Sequence, residues 1–221
     1  PAILRGLVAC GWFGIQTWIG GAAIYALLLV LAGEGLAGEP LPLLGINLVQ
    51  LTCFLGFWAL HVYFIAKGTE SIRWLETYAA PFLIAMGLAL LAWAYKEADG
   101  FGNMLSAPSA FVEGGEKEGQ FWSVFFPSLT AMVGFWATLA LNIPDFTRYA
   151  KSQRDQFLGQ AIGLPPTMAL FAFIGVAVTS ATVVIYGEAI WDPVELMTKM
   201  GGLTVVIALF VLAVATLTTN L

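Results

Sequence analysis

Six long apolar segments, separated by polar or turn-rich stretches, constrain this chain more than any other feature of its sequence. A helix that crosses the hydrocarbon core of a bilayer needs about 20 predominantly apolar residues. Transmembrane β-strands alternate over about 10 residues, so these segments are too long to belong to a barrel. We therefore predict an all-α polytopic membrane protein. The predicted spans are 6–32, 44–66, 78–95, 121–143, 162–186 and 202–221.

The composition favours the same class of protein. Of the 221 residues, 59% are hydrophobic and 10% are charged, whereas soluble domains carry about 25% charged residues. Lipid must therefore be the solvent for the outer face, and we expect the bilayer as a partner. No basic patch indicates nucleic acid. Cys10 and Cys53 both lie in apolar runs, which is typical of small hydrophobic residues rather than of a disulfide or a metal site.

The two ends of the sequence predict an internal fragment. The chain begins with the apolar stretch at Pro1 and stops at Leu221 within an apolar run. Residues 1–221 are therefore interpreted as part of a single transporter domain.

Basic residues predict the orientation of the chain in a cell membrane. Because connections between spans alternate sides, they divide into two sets, and the positive-inside rule assigns the more basic set to the cytoplasm. We expect the acidic loop 97–120 to be extracytoplasmic, the segment 144–156 to be cytoplasmic, and the first span to run from inside to outside. The cytoplasmic set contains Arg5, Lys67, Arg73, Arg148, Lys151 and Arg154.

Charged side chains avoid the middle of every predicted span. His61 is the titratable residue well inside one, and we interpret it as a helix-end or packing histidine, because helix C-termini tolerate His. A carboxylate-driven pump is not expected within these residues. Neither HExxH, GxSxG nor a pair of carboxylates occurs, so the sequence indicates a protein that is not an enzyme and binds no organic cofactor.

Two uncharged residues lie deep in the first span and share a helix face. Trp12 and Gln16 are four residues apart, one turn from each other. An indole stacks on a flat ring, and a carboxamide offers a donor and an acceptor to its edge. The pair predicts either a site for a flat, neutral, polar ring or ordinary helix packing, and the residue types alone do not decide between them.

Ala215, Thr218 and Thr219 fall on one face of the last span. A carbonyl and two hydroxyls form a partial shell for a hard monovalent cation. Thr hydroxyls also bond to the preceding helical turn in membrane helices, and taken alone the pattern favours that alternative. The fourth span carries GFWAT at 134–138 near its middle and then meets residues 142–149 at its cytoplasmic end, where Asp145 followed by Arg148 can cap and anchor the membrane exit. We interpret this stretch as structural or gating rather than ligand-binding.

Four segments together resemble the nucleobase:cation symporter-1 family, which includes the sodium–hydantoin transporter and the bacterial uracil and allantoin permeases. They occur in register along nearly the whole chain, which makes the resemblance specific. The segments are WFGIQTWIGG at 12–21, GFWAT at 134–138, NIPDFTRYAKSQ at 142–153 and TTN at 218–220. The family has twelve helices, the first ten in two inverted repeats of five, and the six spans correspond to helices three through eight.

The resemblance implies a residue set for each ligand. Trp12 stacks on the substrate ring, Gln16 hydrogen-bonds it, and Trp136 closes the other face. The implied sodium ligands are the Ala215 carbonyl and the hydroxyls of Thr218 and Thr219. Thr218 stands where the hydantoin transporter has a serine, which keeps the hydroxyl. The implied activity is cation-coupled symport of a heterocycle such as uracil, allantoin or hydantoin, by a protein that is monomeric at full length.

Other parts of the family's sites would lie outside these residues. The first helix would precede Pro1, an asparagine that reads the substrate would follow Leu221, and helix ten is also missing. Some relatives use protons rather than sodium. A related inverted-repeat symporter for amino acids or another small solute remains the alternative function, and a membrane-embedded enzyme is the alternative from another class.

Overall fold

A computed structural model describes residues 2–106 and 109–221, apart from the side chains of residues 2, 135–142 and 145–146. Helix accounts for 78% of the chain, with no strand among the described residues. The helices are α1 Ala2–Ala32, α2 Leu48–Lys67, α3 Thr69–Glu97, α4 Phe101–Leu105, α5 Phe121–Thr147, α6 Gln153–Tyr186, α7 Pro193–Lys199 and α8 Leu203–Thr219.

The helices have the length and surface of membrane spans. Four of them, α1, α2, α3 and α6, are long and apolar enough to cross a bilayer, and Phe121–Gly134 and Leu203–Thr219 form shorter apolar stretches. Large apolar side chains also lie on their surfaces, such as Leu7 at 66% exposure and Ile162 at 69%. Lipid accommodates such surfaces and leaves each helix to satisfy its own backbone. The prediction of an all-α polytopic membrane protein is confirmed.

Several helix bounds differ from those expected from hydropathy. The second span was expected to begin at residue 44, but α2 begins at Leu48. It begins there because Asn47 and Gln50 form a capping box, in which Oδ1 of Asn47 accepts a hydrogen bond from the backbone N–H of Gln50 at 2.8 Å. Such a cap satisfies amides that the first turn leaves without partners. Gly68, at a φ of +86°, is the one residue between α2 and α3, where the sequence indicated a longer connection.

Prolines lie further inside the helices than expected. The predicted span 78–95 would place Pro81 in a first helical turn, but α3 begins at Thr69 and encloses it. A polar first turn, in which Arg73 pairs with Glu70 at 2.6 Å, extends this helix beyond its apolar part. Likewise α5 continues through Pro144 to Thr147. Membrane helices tolerate such prolines because neighbouring groups satisfy the freed carbonyls.

The described chain divides into two compact units. The first contains Pro1–Val8 and Leu91–Glu188. Within it, the short helix α4 packs on α6, where the rings of Phe101 and Phe173 lie 6.2 Å apart. The second unit contains Ala9–Leu90 and Ala189–Leu221, so it holds most of α1, all of α2, the greater part of α3, and α7 and α8.

A pair of glycines lets α1 approach its neighbours closely in the second unit. A Cβ atom at Gly20 would overlap the ring of Phe57 on α2 and would lie 2.5 Å from Oγ1 of Thr216 on α8. At Gly21, a Cβ atom would lie 3.0 Å from the backbone Cα of Phe54. Small residues of this kind let membrane helices pack backbone to backbone. Residue 20 is thus the point at which α1 touches both α2 and α8.

We predict that Gly20→Ala destabilises the protein by about 1–3 kcal/mol, the usual cost of overpacking a close contact. The matched control is Gly14→Ala in the same helix, where an added Cβ meets nothing within 4 Å and alanine is the better helix former. The midpoint of thermal unfolding, measured on the full-length protein in detergent, checks both. Equal midpoints for the two variants would contradict the close contact.

Candidate substrate and cation site

The predicted substrate residues of α1 lie side by side in the second unit. Trp12 and Gln16 are both half-buried, one helical turn apart along α1. Gln16 makes no hydrogen bond to any described residue, so its amide has a donor and an acceptor to offer. An indole and a carboxamide on one helix face suit a planar ring with polar edges.

Trp18 lies in a different environment from Trp12. Its side chain is 48% exposed, and its ring is tilted by 54° against Phe54 at 6.3 Å between centroids. This contact joins the surface of α1 to α2 and does not involve Gln16. Trp18 is therefore suited to packing between helices.

The predicted cation ligands meet at a single carbonyl on α8. The hydroxyls of Thr218 and Thr219 both donate to the carbonyl oxygen of Ala215, at 3.0 and 2.7 Å. Thr218 also donates to the carbonyl of Val214 at 3.2 Å. Three uncharged oxygens are thus grouped on one turn. Each hydroxyl donates one hydrogen and keeps two lone pairs, through which its oxygen can ligate a cation.

The third predicted substrate residue, Trp136, lies in α5, and its side chain is outside the described residues. The same holds for Asp145, which was expected to anchor the membrane exit. Arg148, on the same exit, donates to the hydroxyl of Tyr149 at 3.0 Å. The roles assigned to Trp136 and Asp145 stay predictions.

A polar junction beside these residues was missed by sequence reasoning. The Nδ2 atom of Asn220, which follows α8, lies 3.2 Å from the carbonyl oxygen of Phe13, 3.4 Å from Oγ1 of Thr17 and 3.2 Å from Nε2 of His61. Thr17 and His61 are fully buried. Three elements, α1, α2 and the end of α8, meet at this one carboxamide.

His61 is held in place by its own helix and by two rings. Its Nδ1 lies 2.8 Å from the carbonyl oxygen of Phe57, and the ring packs edge-on against Phe57 and Phe13 with centroids 4.6 and 5.2 Å away. The packing role expected for this histidine therefore has a specific form. The sequence signal that could have indicated it is a polar residue in each of three apolar spans, at Thr17, His61 and Asn220.

The junction connects the two predicted ligand groups through the chain. Thr17 follows Gln16 on α1, and Asn220 follows Thr219 on α8. A hydrogen bond between the side chains of Asn220 and Thr17 therefore fixes the predicted substrate face of α1 against the hydroxyl turn of α8. Among the described residues, no three His, Cys, Asp or Glu side chains cluster as a metal site.

The sequence of this chain is similar to that of known proteins over its whole length. The whole chain, residues 1–221, matches the profile of a family described as "Permease for cytosine/purines, uracil, thiamine, allantoin". It is 50% identical over 222 residues to the "Purine-uracil permease NCS1" of Arabidopsis thaliana and 40% identical over 222 residues to an "Allantoin permease" of Bacillus subtilis. It is 30% identical over 237 residues to a "Hydantoin permease" of Microbacterium maritypicum. These names are those of permeases, not enzymes, as expected.

The matches differ in how much of each protein they include. All three alignments include 100% of this chain but only 36%, 44% and 43% of the respective relatives. The chain thus spans less than half the length of these curated relatives. No solved structure gives a significant match.

Proposed function

Because the chain belongs to the family of permeases for cytosine/purines, uracil, thiamine and allantoin, we propose that it forms part of a cation-coupled symporter. Its cargo is a nucleobase or related planar heterocycle, such as uracil, allantoin or hydantoin, and its setting is the cytoplasmic membrane. The observation that carries this proposal is that Trp12 lies one turn from Gln16 on α1, whose amide bonds to no described residue and which lies one residue from the junction that holds α8.

In this proposal the heterocycle is recognised by stacking and by edge hydrogen bonds. Trp12 stacks on one face of the ring, Trp136 closes the other face, and Gln16 bonds the amide edge. Nucleobases and hydantoins are uncharged and flat, and they present donors and acceptors along the ring edge.

The coupling ion is sodium in this proposal, held in part by the Ala215 carbonyl and the hydroxyls of Thr218 and Thr219. Hard cations prefer oxygen ligands, and both hydroxyls already lie within hydrogen-bonding distance of the Ala215 carbonyl oxygen. Protons are the alternative ion. The full-length protein acts as a monomer that alternates access between the two sides of the membrane, and it needs no organic cofactor.

We predict that Trp12→Ala weakens heterocycle binding by roughly ten- to a hundredfold, because base–aromatic stacking is worth about 1–3 kcal/mol and about 1.4 kcal/mol is tenfold. Trp12→Phe retains part of the affinity. Gln16→Leu removes a hydrogen-bond partner at a cost of about 1–3 kcal/mol, and the loss is smaller for analogues that lack the matching edge group. Isothermal titration of the full-length protein with uracil, allantoin and hydantoin measures each effect.

The matched control for these substitutions is Trp18→Ala, in the same helix but in contact with Phe54. It should lower stability without changing which heterocycle binds best. Equal losses of affinity at Trp12 and Trp18, or a Gln16→Leu effect that is the same for every analogue, would contradict substrate binding. Trp12 and Gln16 would then serve ordinary helix packing.

We predict that Thr219→Val weakens the stimulation of substrate binding by sodium while the protein stays folded, because valine keeps the shape of threonine and lacks its oxygen. Thr52→Val is the control. Both threonines are exposed, and each hydroxyl donates to the carbonyl oxygen four residues earlier in its helix. The distance is 2.8 Å for Thr52 and 2.7 Å for Thr219. Sodium titrations at fixed substrate compare the two, and unchanged sodium dependence in Thr219→Val would favour proton coupling.

We predict that the loop 97–120 is extracytoplasmic and the segment 144–156 cytoplasmic, because of the distribution of basic residues. Exposed positions for cysteine substitution are Glu116 and Gln153. Gly115 is unsuitable, since a Cβ there would lie 2.5 Å from a backbone carbonyl. In a full-length variant without native cysteines, an impermeant thiol reagent should label Glu116→Cys in intact cells and Gln153→Cys only after permeabilisation. The reverse pattern would invert the topology.

A further inference from the structure

The carboxamide of Asn220 has a defined orientation in its junction. The carbonyl oxygen of Phe13 only accepts hydrogen bonds, so the atom 3.2 Å from it must be the amide nitrogen. The carbonyl of Phe57 likewise requires a proton on Nδ1 of His61. In the neutral imidazole, Nε2 then carries a lone pair and accepts from Asn220 at 3.2 Å.

The amide nitrogen is therefore a double donor between helices. Its two hydrogens have three acceptors within reach. The carbonyl oxygen of Phe13 and the hydroxyl of Thr17, both on α1, share one hydrogen, and Nε2 of His61 on α2 accepts the other. The hydroxyl of Thr17 donates its own hydrogen to the Phe13 carbonyl at 2.6 Å, which leaves its lone pairs to accept. The amide nitrogen of Asn220 and the hydroxyl of Thr17 thus have complementary partners, and a movement of α8 relative to α1 or α2 would break a part-buried hydrogen bond, which costs stability.

The junction joins two residues that each lie next to a predicted ligand residue in the sequence. Asn220 directly follows Thr219, and Thr17 directly follows Gln16. Gly20, one turn beyond Thr17 on α1, contacts Thr216 on α8, one turn before Asn220. Two successive turns of α1 are thereby held against two successive turns of α8, one by close packing and one by the amide.

We propose that Asn220 is a positioning residue that couples cation binding to substrate binding, by fixing the hydroxyl turn of α8 against the Gln16 face of α1 with His61 as its second acceptor. Reorientation of Thr218 and Thr219 towards an ion is transmitted through the adjacent amide to Thr17 and so to Gln16. This inference rests on the proposed function, because it needs both an ion and a heterocycle.

A second interhelical amide in the same unit provides the control. The Nδ2 atom of Asn47, at the start of α2, donates to the hydroxyl of Tyr25 on α1 at 2.7 Å. This bond also ties α1 to another element, but it lies two turns beyond Gln16 and involves no residue of α8. Tyr25→Phe removes it and keeps the ring, so this variant reports what the loss of an interhelical hydrogen bond does to stability alone.

The test uses the full-length protein that carries this chain, with uracil and allantoin as probes. The affinity for each is measured with and without saturating sodium, and the ratio of the two affinities is the readout. The variants are Asn220→Ala and His61→Phe, which keeps an aromatic ring between Phe13 and Phe57 and removes the acceptor. The midpoint of thermal unfolding is recorded for every variant.

We expect Asn220→Ala and His61→Phe each to lower the sodium-dependent ratio by about fivefold or more, the low end of coupling between sites in proteins. Tyr25→Phe should keep the ratio of the unmodified protein even where its thermal midpoint falls. If Asn220→Ala does not fold, His61→Phe decides. An unchanged ratio in His61→Phe, or an equal loss in Tyr25→Phe, overturns the inference. Unmodified protein without sodium stimulation would instead contradict the proposed cation coupling itself.

Discussion

The contact at Gly20 is the constraint on which the rest of the second unit depends. Because this position lacks a side chain, α1 lies against the ring of Phe57 and the hydroxyl of Thr216 at once. Only at such a short separation can the carboxamide of Asn220 reach α1 and α2 together. The close packing of the helices and the hydrogen bonds of Asn220 thus both depend on one small residue. Such contacts matter in lipid, where burial of apolar surface contributes little to the association of helices.

The side chains of the junction include no carboxylate, lysine or arginine, and they bond to each other. The hydroxyl of Thr17, the imidazole of His61 and the amide nitrogen of Asn220 pair as donors and acceptors, while Gln16 makes no hydrogen bond to any described residue. A bilayer penalises unsatisfied polar groups, so a matched set of donors and acceptors gives rigidity. The unit therefore holds its helices together through Thr17, His61 and Asn220, and the binding role of Gln16 stays a prediction.

The class of fold and the family could be predicted from the sequence, because both depend on long runs of residues in order. Apolar length alone indicates membrane helices, and segments such as WFGIQTWIGG identify the family without any contact being known. Helix bounds were less predictable: the capping box at Asn47 and the polar first turn before Pro81 override hydropathy. The junction at Asn220 could not be predicted, since it joins residues 203 positions apart that show no shared local pattern.

Gly68 has a mechanical consequence for this part of the chain. It is the sole residue between α2 and α3, and it has a φ of +86°, a conformation that glycine adopts at little cost. One residue offers about 3.8 Å of reach between successive Cα atoms, so the end of α2 and the start of α3 have almost no slack between them. We therefore expect a shift of α2, which carries His61, to displace the first turn of α3 as well.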